Sequence, residues 1–244
     1  MSRGFVIMAQ NSDTTDYVRC ATVLSKSIKQ AMPDANVTII TSEMLPHNLN
    51  GFANDWQVYN ASPYEYTIKL EADMFIPTDI SYWWDVLRDR DLVLCTTIRN
   101  FKGETSDVLA YRQFITDNEL PNIYNAITYF KKSDIAQEFF NLVNEIFTNW
   151  EDYKKILKCD INEPASTDWV YAIASHLMGV EQTTLPAFTQ MSIVHMKQHI
   201  NGLLTEDWTK ELVTEFHNDV LKVNTIVQRH PFHYYVKEFS EVLA

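Results

Sequence analysis

Hydrophobic positions along the chain change period in a way that sorts it into alternating strands and helices. Residues 5–9, FVIMA, form one short apolar run, and the QNSD that follows breaks it with turn-favouring side chains. Tyr17, Cys20, Ala21, Leu24, Ile28 and Ala31 then recur at helical spacing, with Arg19, Lys26 and Lys29 off the stripe and Pro33 as a stop. This predicts a helix opening near Thr15 or Asp16. Residues 37–41 read as a second strand, which completes a right-handed βαβ unit whose ligand cleft lies beyond the carboxyl ends of its strands. The polar stretch 42–56 reads as a loop of a length that often covers a ligand.

Further on, 67–70 is a short β-prone run, and Thr78-Asp79 cap a helix over 81–87 in which Trp83 and Trp84 pack inward. Residues 92–97 and 122–130 read as strands, with a polar loop at 103–107 bordering a possible acceptor side. Ser133 caps a helix with Ile135, Phe139, Leu142, Val143 and Ile146 on one face and Trp150 beyond it. Residues 163–168 lead into a helix that runs to Met178, with Gly179 as its stop. Residues 192–194 form a strand presenting His195. Thr205 opens a last helix with Trp208, Leu212, Phe216 and Val220 on one face, and 223–227 returns as a strand.

The length of 244 residues suits one large α/β domain, and 46% hydrophobic with 13% aromatic residues indicates a globular chain with no membrane-crossing segment. The first strand begins too early for a secretory signal to precede it, so a cytoplasmic protein is expected. Cys20, Cys95 and Cys159 form no C-x-x-C pair, which argues against a disulfide framework or a thiolate zinc site. A net charge of -12 disfavours non-specific nucleic-acid binding. The five glycines are scattered, so neither a P-loop nor a Rossmann fingerprint can form. A pyrophosphorylase with a glycine-rich phosphate loop is disfavoured too, and any phosphate would be held by a metal or by Lys and Arg.

The candidate chemistry centres on Glu71 and Asp73. Two residues apart in an extended segment, they point the same way and can share one cation; the plain alternative is a solvated acidic turn. Asn125 lies inside an apolar strand and needs partners there, for a ligand or for a neighbouring loop. Asp168 falls in the first turn of its helix, where the dipole alone favours it by ~0.3–1 kcal/mol. His195 and His199 have the spacing of a helical zinc pair but lack the glutamate base between them, so a zinc peptidase is disfavoured. His230 and His233, with Tyr234 and Tyr235, make a polar aromatic cluster that suits an acceptor surface or a second metal histidine.

These stretches resemble one family. SPYEYTIKLEADMFIP is similar to the D-x-D segment of the glycogenin-like glycosyltransferases, with Glu71 where the family has its first Asp. AQNSDTTDYVRCATVLSKSI is similar to their nucleotide-pocket stretch, and the YNA around Asn125 to their F-N-A. Asp168-Trp169 stands where the family has Asp-Gln. SIVHMKQHIN resembles the H-x-x-G-x-x-K-P-W motif, with Lys197 earlier than the family lysine.

The resemblance implies a GT-A-type, Rossmann-like mixed α/β sheet flanked by helices, as a single domain over 1–203 with a C-terminal extension, 204–244, packed on it. It implies a metal-dependent glycosyltransferase that moves a sugar from a nucleotide diphosphate-sugar, foremost UDP-linked, to a hydroxyl acceptor with retention. Ala9, Asn11 and Tyr17 would then line the nucleotide, and Asn125 and Asp168 would hold sugar hydroxyls. Glu71, Asp73 and His195 would bind Mn2+ or Mg2+, with Glu71 alternatively on the ribose, and Lys197 would add charge at the phosphates. Asp73, Asn125 and Asp168 would carry catalysis. The acceptor stays open among protein, glycan, lipid head group and modified nucleobase. A catalytically silent nucleotide-sugar-binding module on the same fold, and a metal-dependent hydrolase using His195, His199 and nearby acids, are the other readings.

Overall fold

A computed structural model describes residues 2–47, 51–158, 160 and 162–244, with residues 51 and 52 described by backbone alone. Cys159 and part of the 42–56 loop therefore lie outside the described residues, while Cys20 and Cys95 are free and buried. In chain order the strands are β1 (Arg3–Ala9), β2 (Val37–Thr41), β3 (Tyr66–Glu71), β4 (Met74–Phe75), β5 (Leu92–Cys95), β6 (Thr97–Arg99) and β7 (Thr105–Ser106). They continue with β8 (Tyr124–Lys131), β9 (Ser192–His195), β10 (Thr214–His217), β11 (Val220–Val223), β12 (Ile226–Val227) and β13 (Phe232–His233). The long helices are α1 (Tyr17–Ala31), α2 (Asp134–Thr148) and α3 (Thr167–Met178).

The architecture is mixed α/β. The first sheet has the order β2-β1-β3-β8-β5, with β1 parallel to both β2 and β3 and with β8 antiparallel to β3 and β5. Alternation along β1 sends Phe5, Ile7 and Ala9 into a core with α1, and Val6 into a core with α2 and α3 on the opposite face. Helix α1 begins as expected: the Asp16 carboxylate accepts from the Arg19 backbone N–H, and Cys20, Ala21, Leu24 and Ile28 are buried. In α2, Ser133 caps as expected, but Ile135 is exposed and Ala136 and Phe140 fill the core beside Phe139, Val143 and Ile146. The expected stop of α3 is Gly179, at φ 100°.

The second sheet has the order β4-β13-β9-β6-β7. It begins where the chain leaves the first sheet. The run expected as one strand over 92–97 breaks at Thr96, so that β5 belongs to the first sheet and β6 pairs in parallel with β9 in the second. Likewise β3 ends at Glu71, Ala72 and Asp73 turn, and β4 starts at Met74 in the second sheet. The 103–107 loop contributes β7, an edge strand against β6.

The helix expected from Thr205 does not form. A 3-10 turn, Trp208–Lys210, is followed by the antiparallel strands β10, β11 and β12. The four-residue spacing of Trp208, Leu212, Phe216 and Val220 fits a helix stripe, but Asn218 and Asp219 sit at φ 48° and 62°. His217 pairs with Val220, so these two residues form the two-residue turn whose twist matches a hairpin. The described part of 42–56 is also more regular than expected, with 3-10 turns at Ser42–Met44 and Gly51–Gln57. Among the described residues no helix is long and apolar enough to cross a membrane.

Candidate active site

The two sheets meet at the carboxyl ends of β1 and β3, where open α/β sheets place their ligand clefts. A cleft of about 840 Å³ opens there, lined by the segment after β1, the Glu71–Asp73 turn, the start of β8, the first turn of α3 and the ends of β9 and β13. Its size is that of a site for a nucleotide-sized ligand.

Glu71 and Asp73 reach the cleft because the sheet switch falls between β3 and β4. Their third partner is His233, not the expected His195. In the second sheet β13 lies between β4 and β9, so His233 registers with Met74 on one side and with His195 on the other. His195 is thus one strand too far from the acids. The His233 Nε2 is 2.9 Å from Asp73 Oδ2 and 3.5 Å from Glu71 Oε2. Among the described residues, Glu71, Asp73 and His233 offer ligand atoms that all lie within 4.8 Å of one another. The His195 ring stacks on that of His233 at 4.8 Å between centroids. The Lys237 ammonium also bonds Asp73 Oδ2.

Charge is finely balanced here. Burial disfavours the Asp73 carboxylate, yet the His233 imidazole and the Lys237 ammonium hold it well below its ordinary range. Burial pushes Glu71 up, against the pull of His233 and Lys69. Burial pushes His233 down, but Asp73 and Glu71 carry it above the usual histidine value. Burial pushes His195 well below the usual histidine value, and His233 pushes it the same way.

A second group fixes Asp168. Its Oδ1 accepts from the backbone N–H of Asn125 at 2.8 Å, and its Oδ2 meets Arg112 Nη1 at 3.0 Å. Arg112 also donates to the carbonyl of Ile123 and lies over the Tyr124 ring at 4.2 Å. One carboxylate thus ties α3 to the start of β8, while its side chain stays 38% exposed toward the cleft. The Asn125 Nδ2 donates weakly to Glu71 Oε1 at 3.5 Å, and its buried Oδ1 has no hydrogen-bond partner among the described residues. Asn125 lines the cleft, and a buried acceptor without a partner there is a group still to be satisfied.

Behind Glu71, on the same face of β3, Lys69 is 1% exposed and pairs with Asp55 at 2.9 Å. The other oxygen of Asp55 accepts from the Tyr171 hydroxyl. Both Lys69 and Asp55 border the cleft.

The remaining sequence candidates divide. Asn11, Tyr17 and Lys197 line the cleft. The Asn11 carboxamide oxygen accepts from the backbone N–H of Val18, which ties it to the start of α1. Lys197 places its Nζ 4.3 Å from the centroid of Tyr235. Ala9 does not line the cleft: it alternates to the other side of β1 and is fully buried in the core against α1. His199 sits on a separate short helix, Gln198–Asn201, and stacks on Tyr111, so it forms no helical pair with His195.

Sequence reasoning missed Lys69, Arg112 and Lys237. Lys69 carried little signal, because it takes a regular polar position in the alternation Thr67-Ile68-Lys69-Leu70-Glu71. Arg112 carried none.

No family model matches the chain, and no curated protein matches it. Among solved structures it is similar to the galactosyltransferase LgtC in complex with donor and acceptor sugar analogs, at 12% identity and TM-score 0.47, over 74% of this chain and 72% of that one. It is similar to the bifunctional glycosyltransferase WbbM at 12% identity and TM-score 0.48, over 83% of this chain and 41% of that one. Mouse xyloside xylosyltransferase 1 matches at 10% identity and TM-score 0.43, over 76% of this chain and 85% of that one.

Proposed function

We propose that this cleft is the active site of a glycosyltransferase of GT-A type, which moves a sugar from a nucleotide diphosphate-sugar to a hydroxyl acceptor with a divalent cation. The observation that carries this reading is the convergence of Glu71, Asp73 and His233 where the chain passes from one sheet to the other, at the mouth of the parallel strands. Two carboxylates and an imidazole form a donor set suited to manganese more than to magnesium, which prefers oxygen ligands. A bound cation there would neutralise the charge that grows on a departing diphosphate. His233 replaces His195 in the proposed ligand set, because its strand is the one adjacent to the acids.

The protein's own groups supply the rest. Asn11 and Tyr17, at the carboxyl end of β1, border the space for the nucleotide. Asp168, oriented by Arg112 and the Asn125 backbone, presents a fixed carboxylate to sugar hydroxyls, and the free Oδ1 of Asn125 accepts from another. Asp168 already accepts from two protein donors, which suits it to holding the sugar more than to abstracting a proton. That assignment accords with retention of configuration. UDP is the nucleotide of first choice from the sequence resemblance.

Screening UDP-, GDP- and ADP-sugars for manganese-dependent release of the nucleoside diphosphate tests this function. At least one donor should turn over slowly without acceptor. Asn125→Ala and Asp168→Asn should then weaken binding of that sugar-nucleotide by about tenfold or more, the scale of one or two lost hydrogen bonds, and leave the bare diphosphate nearly unaffected. Equal losses for both ligands would make Asn125 and Asp168 scaffold residues, and a panel with no turnover would remove the transferase reading.

A further inference from the structure

Asp73 is occupied twice on one oxygen. Its Oδ2 accepts from His233 Nε2 at 2.9 Å and from the Lys237 ammonium, and the carboxylate is almost fully buried. Lys237 is delivered by the last turn of the chain, Lys237–Glu241, which follows Tyr235 at φ 61°. The side chain of Lys237 is 21% exposed, so its ammonium reaches both Asp73 and the open cleft. Its Nζ also lies 5.0 Å from the ring centroid of Tyr235 and 5.9 Å from that of Tyr17. Aromatic faces of this kind give the ammonium favourable contacts besides the carboxylate.

We propose that Lys237 is the resident counter-ion of Asp73 and competes with the divalent cation for that carboxylate. Tight cation binding then requires an anion that takes over the ammonium. The inference rests on the proposed cation site and assigns it a form of regulation: metal and diphosphate bind as a mutually dependent pair.

The electrostatic argument is direct. A cation arriving at Asp73 meets a positive charge on the very oxygen it must share, in a site where burial weakens screening. The free protein therefore discriminates against bare metal. A diphosphate changes the balance, because the displaced ammonium gains a partner in the same cleft. Lys197, whose Nζ lies 4.3 Å from the Tyr235 ring centroid, adds a second ammonium that lines the cleft. Two ligands that each lower the cost of binding the other are thermodynamically coupled, and the coupling is reciprocal.

The test is Mn2+ binding followed by the electron paramagnetic resonance signal of free Mn2+, with and without UDP. Wild type, Lys237→Met and Lys237→Gln are compared, with Asp73→Asn added to each. Without UDP, both Lys237 variants should bind Mn2+ at least about tenfold more tightly than wild type, as expected for removing a like charge in contact with the site. Asp73→Asn should cancel that gain. UDP should tighten Mn2+ binding to wild type strongly and to the Lys237 variants much less. Lys237 variants that bind bare Mn2+ no better than wild type overturn the inference while leaving the cation site standing, provided that wild type with UDP binds Mn2+ and Asp73→Asn does not. Failure of every protein to bind Mn2+ even with UDP overturns the cation site and the inference together.

Discussion

Asp73→Asn should reduce turnover of the sugar-nucleotide by about a thousandfold or more, comparable with deleting a principal electrostatic contact at a leaving group. The effect is large because two cationic groups converge on the Asp73 carboxylate. His233 and Lys237 both bond its Oδ2, and Glu71 faces the same imidazole. Asparagine keeps the shape and one acceptor oxygen but loses the charge. Charge-assisted hydrogen bonds are worth roughly 1.5–3 kcal/mol each, so the variant should melt several degrees lower while keeping a wild-type circular dichroism spectrum. Turnover at the wild-type level across a manganese titration would show that Asp73 does not hold the cation.

The second large effect concerns stability. Lys69→Met should destabilise the fold by about 3–5 kcal/mol, the usual result of removing one partner from a buried ion pair. Lys69 lies in the middle of the first sheet, and Asp55 is its acidic partner. Without the ammonium, the Asp55 carboxylate keeps the Tyr171 hydroxyl but loses the ion pair with Lys69. Adding Asp55→Asn to Lys69→Met should recover a substantial part of the loss, since the uncompensated charge is then gone. Equilibrium urea unfolding of the four proteins in this cycle measures both terms. A loss under about 1 kcal/mol in the single variant would mean that Asp55 is solvated enough to stand alone.

Much of the fold was legible where one periodicity acts alone. The β1, α1, β2 unit reads directly from an apolar run, a stripe that opens near Thr15 or Asp16 and stops near Pro33, and a second run. The acids of the 66–77 stretch were also legible as two carboxylates at the end of a β-prone run, although a turn at Ala72 and Asp73, and not strand alternation, brings them together. Segments in which two periods coincide were not. The spacing of Trp208, Leu212, Phe216 and Val220 suits a helix, and the structure is decided instead by the positive φ angles of Asn218 and Asp219.

The site was half legible for a related reason. His195 ends a strand, as expected, but which histidine meets the acids depends on strand order, and β13 is only two residues long. So short a strand gives almost no periodic signal. Arg112 is invisible in the sequence because its partner, Asp168, is 56 residues away. Lys69 is hidden in another way: Thr67-Ile68-Lys69-Leu70-Glu71 alternates as a strand with one solvated face would, and the fold covers that face, so the buried ammonium needs Asp55 as its partner.

The central claim is that the cation of a sugar-nucleotide site rests on Glu71, Asp73 and His233. Crystals grown with UDP and Mn2+, measured at a wavelength where manganese scatters anomalously, test it most directly. The account predicts one strong anomalous peak within coordination distance of Asp73 and of His233 Nε2, touching the diphosphate, with His195 stacked behind and outside the ligand sphere. A peak ligated by His195 in place of His233, or a diphosphate bound in this cleft with no manganese at Asp73, would contradict it.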